Sequence, residues 1–403
     1  SGLVGSEMCI RDSSYIGIFI IMFSIISSGM VSVMTQNIGA GRPGVAYQAR
    51  QLGLLFNAVA GVLMAVFLFS GAGAILRMVG IADALYEPAL IYLKIVGGGC
   101  ILNAVIPIFS SYLRAFGYTK QPLYATIVGN IANFVMNAVF LFVLHKGVAG
   151  VAAATVISKI LNLCIVLYFS HKLISAKNST ERIANKTVLG QIVKVGLPSA
   201  CETALYNVAM MLVIRFLNQM DAEGLNVTAR SYTATISNFS YCVGAALAQA
   251  NAIMTGWHIG AGELEECDRG TKRAAFVGVC VAVCMETAIV LGSGFIMPLF
   301  TDNPEMTALV RKLLAIDIVL EIGRVTNLVF GQALKTSGDA VFPAVIAAVF
   351  MFVFAVGGTW LFGISMGLMA VGAYIGLASD ECVRAVGMVW RWKTGKWRTK
   401  KLV

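Results

Sequence analysis

The sequence predicts an all-α integral membrane protein built as two related six-helix bundles, and three observations carry that expectation. Of 403 residues, 58% are hydrophobic and only 12% are charged, against roughly a quarter charged in an ordinary soluble domain. Apolar runs of about twenty residues recur along the whole chain, as spanning helices require. The third observation is a long-range internal repeat.

The apolar segments number eleven: 15–35, 52–75, 89–113, 123–144, 148–169, 192–217, 231–254, 274–300, 313–334, 341–361 and 366–389. Backbone groups in hydrocarbon must be satisfied within the protein, which leaves helices or a closed barrel. No segment alternates with the two-residue period of a barrel strand, so the segments are helices. Connections are short except for HKLISAKNSTERIAN at 171–185. Nine cysteines form no CxxC pair and lie mostly in apolar runs, so they read as small buried hydrophobes.

The repeat appears at three landmarks in one register. VMTQNIGAG at 33–41 recurs as IMTGWHIGAG at 253–262, RAFGYTKQP at 114–122 as KTSGDAVFP at 335–343, and GVAGVAAA at 147–154 as GLMAVGAY at 367–374. The repeats are therefore parallel. The span at 192–217 has no counterpart in this register, so a twelve-helix protein is expected whose first helix is missing here, with eleven present. Residues 1–13, SGLVGSEMCIRDS, change abruptly in character before Tyr15 and read as a foreign leader; a genuine short lead-in is the alternative. The expected organisation is 14–171 for the N-terminal bundle, 172–186 for a linker, 187–390 for the C-terminal bundle and 391–403 for a basic tail.

Charge fixes the expected orientation. The loops on the side of the 171–194 connection, with the tail, carry 19 Lys and Arg, and the opposite loops carry five. The positive-inside rule puts the first set, and the C-terminus, in the cytoplasm. The net charge of +10 therefore reads as loop and membrane-surface charge, not as a nucleic-acid footprint.

With QNIGAG at 36–41, HIGAG at 258–262, GLPSACETALYN at 196–207 and LEIGRVTNLVFGQALKTSGDAVFP at 320–343, the chain from Tyr15 onward resembles the multidrug and toxic compound extrusion (MATE) family in its bacterial branch. The resemblance implies a monomeric multi-pass protein of the bacterial inner membrane, with two bundles around a cleft. It implies export of organic cations or related amphiphilic small molecules, with no cofactor beyond the coupling ion, Na+ or H+. In the family's sodium-coupled branch the acidic residues of the tenth and seventh helices would fall at about Arg324 and Tyr206, each one turn after a carboxylate, Glu321 and Glu202. A proton-coupled branch uses an Asp in the first helix.

Ionisable groups inside spans face a cavity or one another. Asp317, Glu321, Arg324 and Asn327 recur on one helix face, a stripe that either holds Na+ or a proton between Asp317 and Glu321, with Arg324 tuning them, or forms an internal Glu321–Arg324 lock. Glu202 follows Pro198 by one turn and has Thr203, Tyr206 and Asn207 nearby, which suits a lipophilic cation through charge and cation–π attraction; hydrogen bonding to a neighbouring helix is the bland alternative. Asn130, Asn133 and Asn137 read either as interhelical glue or as part of a binding face, and so do Ser231, Thr235 and Asn238. Glu286 stands alone mid-span and reads either as a structural group or as a coupling residue. Asp380, Glu381 and Arg384 are spaced to neutralise one another. Lys94 and Lys159 snorkel or meet a carboxylate.

The GAG turns lack the Walker lysine and read as helix stops, not phosphate loops. No HExxH, DDxxD or nucleophile elbow appears, so the chain is not expected to be an enzyme. The expected function is a secondary active exporter working by alternating access. The alternative is a flippase for a lipid-linked precursor, which would need a cationic cleft.

Overall fold

The computed structural model describes residues 26–79, 83–174, 181–220 and 224–403. The segment expected as a 1–13 leader, the start of the first apolar segment and part of the expected 172–186 linker lie outside the described residues. Among the described residues every regular element is helical. They are α1 (26–39, as far as described), α2 (Pro43–Val79), α3 (Asp83–Gly98), α4 (Cys100–Ala115), α5 (Lys120–Ala138), α6 (Gly147–Leu173), α7 (Asn185–Met220), α8 (Leu225–Ala261), α9 (Leu264–Ile296), α10 (Pro304–Ser337), α11 (Val341–Phe350) and α12 (Met369–Lys393). The helices α3 and α4 make one span interrupted at Gly99, and α5 and α11 continue in wide π turns.

Seven spans are long and apolar enough to cross a membrane by length and composition. The helices α8, α10 and α12 are not among them. The reason is visible in their sequences: α10 and α12 carry Asp317, Glu321, Arg324, Asp380, Glu381 and Arg384, and α8 carries Arg230 and a run of uncharged polar residues such as Ser231, Thr233, Thr235, Ser237, Asn238 and Ser240. Large apolar side chains such as Phe134, Phe142, Phe239, Leu291 and Phe295 point outward, each more than 70% exposed, as a lipid-facing surface requires.

The chain divides into two compact units, Ser1–Gly196 and Leu197–Val403, with the division inside α7. In the first unit α2 packs on α3 and α4, α5 on α6, and α6 on α3 and α4. The first turns of α7 belong to this unit: Gly29 lies against the backbone of Ile192 and Gly196. In the second unit α10 is the central element, packed on α8, α9 and α12. Its start is fixed by Asn303, whose Oδ1 accepts from the Glu305 and Met306 amides at 2.9 and 3.3 Å, and by Pro304 behind it.

The repeat is written into the backbone. Gly41 and Gly262 take φ of +74° and +80°, and Gly117 and Gly338 take +84° and +97°. Each closes its helix with the same pair of bonds, as in Tyr118 N to Leu113 O (2.9 Å) and Asp339 N to Leu334 O (3.0 Å). This is the Schellman stop, in which a left-handed residue satisfies the last carbonyls.

The C-terminal residues do not hang free. Trp392 and Trp397 stack at 4.2 Å and are 1% exposed. Arg391 forks onto Asp339 (2.7 and 3.1 Å), Arg398 meets Glu265 (2.6 Å), and Leu402 is buried. Of the basic residues at 391–403, Lys393, Lys396, Lys400 and Lys401 remain exposed.

Close approach of α10 and α12 depends on Gly323, where a Cβ would sit 2.7 Å from the Cys382 amide nitrogen. Gly323→Ala should therefore force the helices apart and cost about 1–3 kcal/mol. Gly387→Ala on α12, whose Cβ would make ordinary contact with Ile346 at 3.6 Å, should leave thermal unfolding in detergent unchanged.

Candidate functional site

Pro198 lies one turn before Glu202 on α7, and the polar faces of α7, α8, α10 and α12 enclose a cavity of 470 Å³ within the second unit. Its wall holds Glu202, Thr203 and Tyr206 from α7, Arg230, Asn238 and Tyr241 from α8, Asp317, Arg324 and Asn327 from α10, and Tyr374, Asp380, Glu381 and Arg384 from α12. Arg230, expected in a loop from the sequence, lies one turn and a half into α8 and faces this cavity.

A chain of ion pairs joins α10 to α12. Arg324 pairs with Glu321 one turn before it and approaches Glu381 at 3.9 Å. Asn327 donates to Glu381 at 3.0 Å. Arg384 takes Glu381 at 2.7 Å and forks onto Asp380 at 3.0 and 2.7 Å. The mutual neutralisation expected of Asp380, Glu381 and Arg384 is present, extended by a second helix. Arg324 also lies 5.7 Å from the Tyr241 ring centroid.

Behind this chain sits a second acidic group. Carboxylate oxygens of Glu286, Asp317 and Glu321 lie within 4.8 Å of one another, and all three residues are buried. Glu286 is thus not alone: α9 brings it against α10. Both its oxygens, Asp317 Oδ2 and Glu321 Oε2 have no hydrogen-bond partner among the described residues. The Ser240 and Ser237 hydroxyls face Glu286 and Asp317 without a hydrogen bond of normal geometry. An all-oxygen, buried and under-satisfied set fits a hard cation or a shared proton.

Glu202 is committed to a partner that sequence spacing did not reveal: Lys335 Nζ lies 2.8 Å from its Oε2. The other expected residues divide. Tyr206 and Thr203 face the cavity, whereas Asn207 is exposed and donates to the Thr203 carbonyl of its own helix at 2.9 Å. Asn238 lines the cavity, and Thr235 donates to the Ser231 carbonyl at 2.8 Å. Asn133 lies in the first unit, where it donates to Ser158 at 3.3 Å and accepts from Asn137 at 3.1 Å, joining α5 to α6. Lys159 donates to Asn103 at 2.8 Å, and Lys94 lies 5.9 Å from the Phe69 ring. Arg230, Tyr241, Tyr374 and Lys335 are not among the residues the sequence points to: Tyr241 and Tyr374 sit inside apolar runs, and Arg230 and Lys335 fall in loops between them.

Comparison with known proteins gives one answer. The family described as MatE matches residues 13–139 and 198–361. The uncharacterized transporter YisQ of Bacillus subtilis (strain 168) is 31% identical over 395 residues, covering 96% of this chain and 86% of that protein. A crystal structure of MATE in complex with MaD5 matches with a TM-score of 0.87 at 19% identity, over 98% of this chain and 88% of the other. An outward-facing multidrug resistance MATE family transporter of the MOP superfamily matches at 0.85 and 19% identity, over 96% and 87%.

The Glu202–Lys335 pair ties α7 to α10 at a nearly buried position, so removing one partner strands the other charge. Glu202→Gln and Lys335→Gln should each lower thermal stability. The double variant should be less destabilised than the two singles added together, by about 1–3 kcal/mol of coupling; strict additivity in detergent melts would remove the pair from this role.

Proposed function

Because this chain belongs to the MATE family of membrane transporters, we propose that it is a secondary active antiporter that exports organic cations, driven by Na+ or H+ moving inward. The observation that carries the reading is the shared position of Asp317, which lines the 470 Å³ cavity and also belongs to the buried Glu286–Asp317–Glu321 group. One carboxylate in both places makes substrate and coupling cation competitors for the same negative charge, which is what exchange requires. The acids of the cavity and the group behind it outnumber the bases around them. With Tyr206, Tyr241 and Tyr374 on the wall, the lining favours a lipophilic cation. The excess of acid disfavours the pyrophosphate of a lipid-linked precursor.

Residues Glu286, Asp317 and Glu321 would hold the coupling cation, with the Ser237 and Ser240 hydroxyls completing an oxygen cage. Bound there, the ion supplies positive charge and no chemistry. Arg324, Asn327 and Glu381 then set the charge that the cavity presents to substrate. The loop asymmetry supports a cytoplasmic C-terminus in the bacterial inner membrane.

The test is efflux of a fluorescent organic cation from pump-deficient bacteria expressing the full open reading frame, with sodium and proton gradients collapsed separately. Efflux should fall with one gradient and survive loss of the other, which names the ion. Glu286→Gln and Asp317→Asn should each cut gradient-driven efflux at least about tenfold, since each removes a charge from the coupling site. Glu286→Gln, at a residue that does not itself line the cavity, should still bind substrate. Efflux indifferent to both gradients, or to both variants, would sink the proposal.

A further inference from the structure

The first unit contains a cavity that the transport reading leaves unused. It measures 290 Å³ and lies between the start of α2 and the ends of α4 and α6. Arg50 is set into its wall with its guanidinium carbon 4.4, 4.9 and 5.4 Å from the ring centroids of Tyr47, Tyr112 and Phe109. Aromatic faces on several sides hold the guanidinium plane but accept no conventional hydrogen bond. Arg50 Nε is buried with no hydrogen-bond partner among the described residues, and neither has the Ser170 hydroxyl, on a residue 3% exposed. His171 completes the polar lining; among the described residues no carboxylate contributes to it and Arg50 makes no ion pair.

The repeat explains why there is space here. In the register that pairs Gly41 with Gly262, the positions Tyr47, Phe109 and His171 correspond to Asp268, Phe330 and Trp392. In the second unit these three are in contact and the space is filled. Trp392 donates to Asp268 at 2.7 Å, lies edge-on to Phe330 at 6.0 Å and stacks on Trp397. The first unit has a histidine in place of the first indole, and the sequence after Ile174 reads SAKNST, with no aromatic to take the place of the second. A volume that one repeat plugs with two tryptophans is lined in the other by an uncompensated arginine.

We propose that this cavity binds a phosphate group. A fixed cation with an unused N–H, an unused hydroxyl and an imidazole, with no competing acid among the described residues, is a set of anion donors. They are carried on two different helices, α2 and α6, which suits a tetrahedral acceptor better than a planar carboxylate. The phosphate comes either from a soluble phosphate or phosphoester or from an anionic phospholipid headgroup. The site stands apart from the acidic cavity, so it holds or fails independently of the export reading.

Two measurements on the purified full chain distinguish the sources. The first is thermal unfolding in detergent titrated with inorganic phosphate, against sodium chloride at matched ionic strength; a ligand of the folded state raises the midpoint saturably. The second is native mass spectrometry from nanodiscs of mixed phosphatidylglycerol and phosphatidylcholine, scoring which lipid is retained. A saturable phosphate response assigns the site to a soluble anion. Selective retention of phosphatidylglycerol without that response assigns it to a headgroup. In either case Arg50→Gln should weaken binding at least about tenfold and Ser170→Ala severalfold. Arg50→Lys keeps the charge but lacks the buried Nε donor, so it should fold normally and still bind several times more weakly. If the wild-type chain shows neither response, or if Arg50→Gln and Arg50→Lys bind as well as wild type, the proposal is overturned.

Discussion

The second unit is organised around one constraint: the charge on α10 cannot face hydrocarbon. A helix carrying Asp317, Glu321 and Arg324 within two turns is tolerated at membrane depth only if other protein surrounds it. The sequence of α10 and of its neighbours meets that condition around the charged face, leaving an apolar strip with Val319 and Ile322 exposed. Gly244 on α8 and Gly278 on α9 let those helices close on Val325, where a Cβ would approach the valine side chain at 2.7 and 2.8 Å. Gly323 does the same for α12. With α10 enclosed, Glu381 and Arg384 can complete its charge pattern from the facing helix, and the polar helices need not satisfy any requirement to be apolar on all faces. The helices α8, α10 and α12, which are not among the seven apolar spans, meet where polarity is used.

Duplication kept the backbone and let this charge diverge. In the register defined by the repeated glycines, Glu286, Asp317 and Glu321 correspond to Ala65, Val96 and Cys100. Cys100 packs with Leu68, Ala104 and Ala65 in an apolar cluster of the first unit. Arg324 and Asp380 correspond to Asn103 and Lys159, which bond at 2.8 Å as a lysine–amide pair across the equivalent helices. The contact between these helices has survived while the chemistry at it has not. A buried carboxylate group is therefore no consequence of the architecture, since the same architecture stands with alanine, valine and cysteine in those places.

This difference explains what could be read from sequence. Helix positions, the repeat and the reversal points were legible because each rests on local information: twenty-residue apolar runs, or a glycine required where the backbone turns left-handed, as at Gly262 and Gly338. The α10 stripe was legible for the same reason, as spacings of three and four residues place side chains on one helix face. What could not be read were partners on other helices. Glu286 lies on α9, and the one-dimensional pattern holds no sign that it meets Asp317. Lys335 sits by sequence in a cytoplasmic loop, yet its helix extends far enough to bring the ammonium to Glu202 on α7. The packing of the tail was hidden for a related reason. Trp392 and Trp397 position the basic segment, and hydrophobic anchors spaced five apart among Lys and Arg carry no familiar signature.

Arg324 supplies the last step in relating the two acidic groups. It pairs with Glu321, which belongs to the buried group, and stands 3.9 Å from Glu381, which lines the cavity. One guanidinium thus has acceptors on both sides, and occupation of one side alters what is left for the other. In the proposed exchange, a cation arriving among Glu286, Asp317 and Glu321 takes over the compensation of Glu321. Arg324 is then free to turn its charge toward Glu381 and against a cationic substrate. Loss of that ion draws Arg324 back to Glu321 and leaves Glu381 and Asp317 to the substrate. Asn327 and Arg384 keep Glu381 in place through both conditions, by bonds of 3.0 and 2.7 Å. Coupling by this route needs no large rearrangement at the site: a change of partner by a side chain already within reach of both is enough to make the two cations exclude each other.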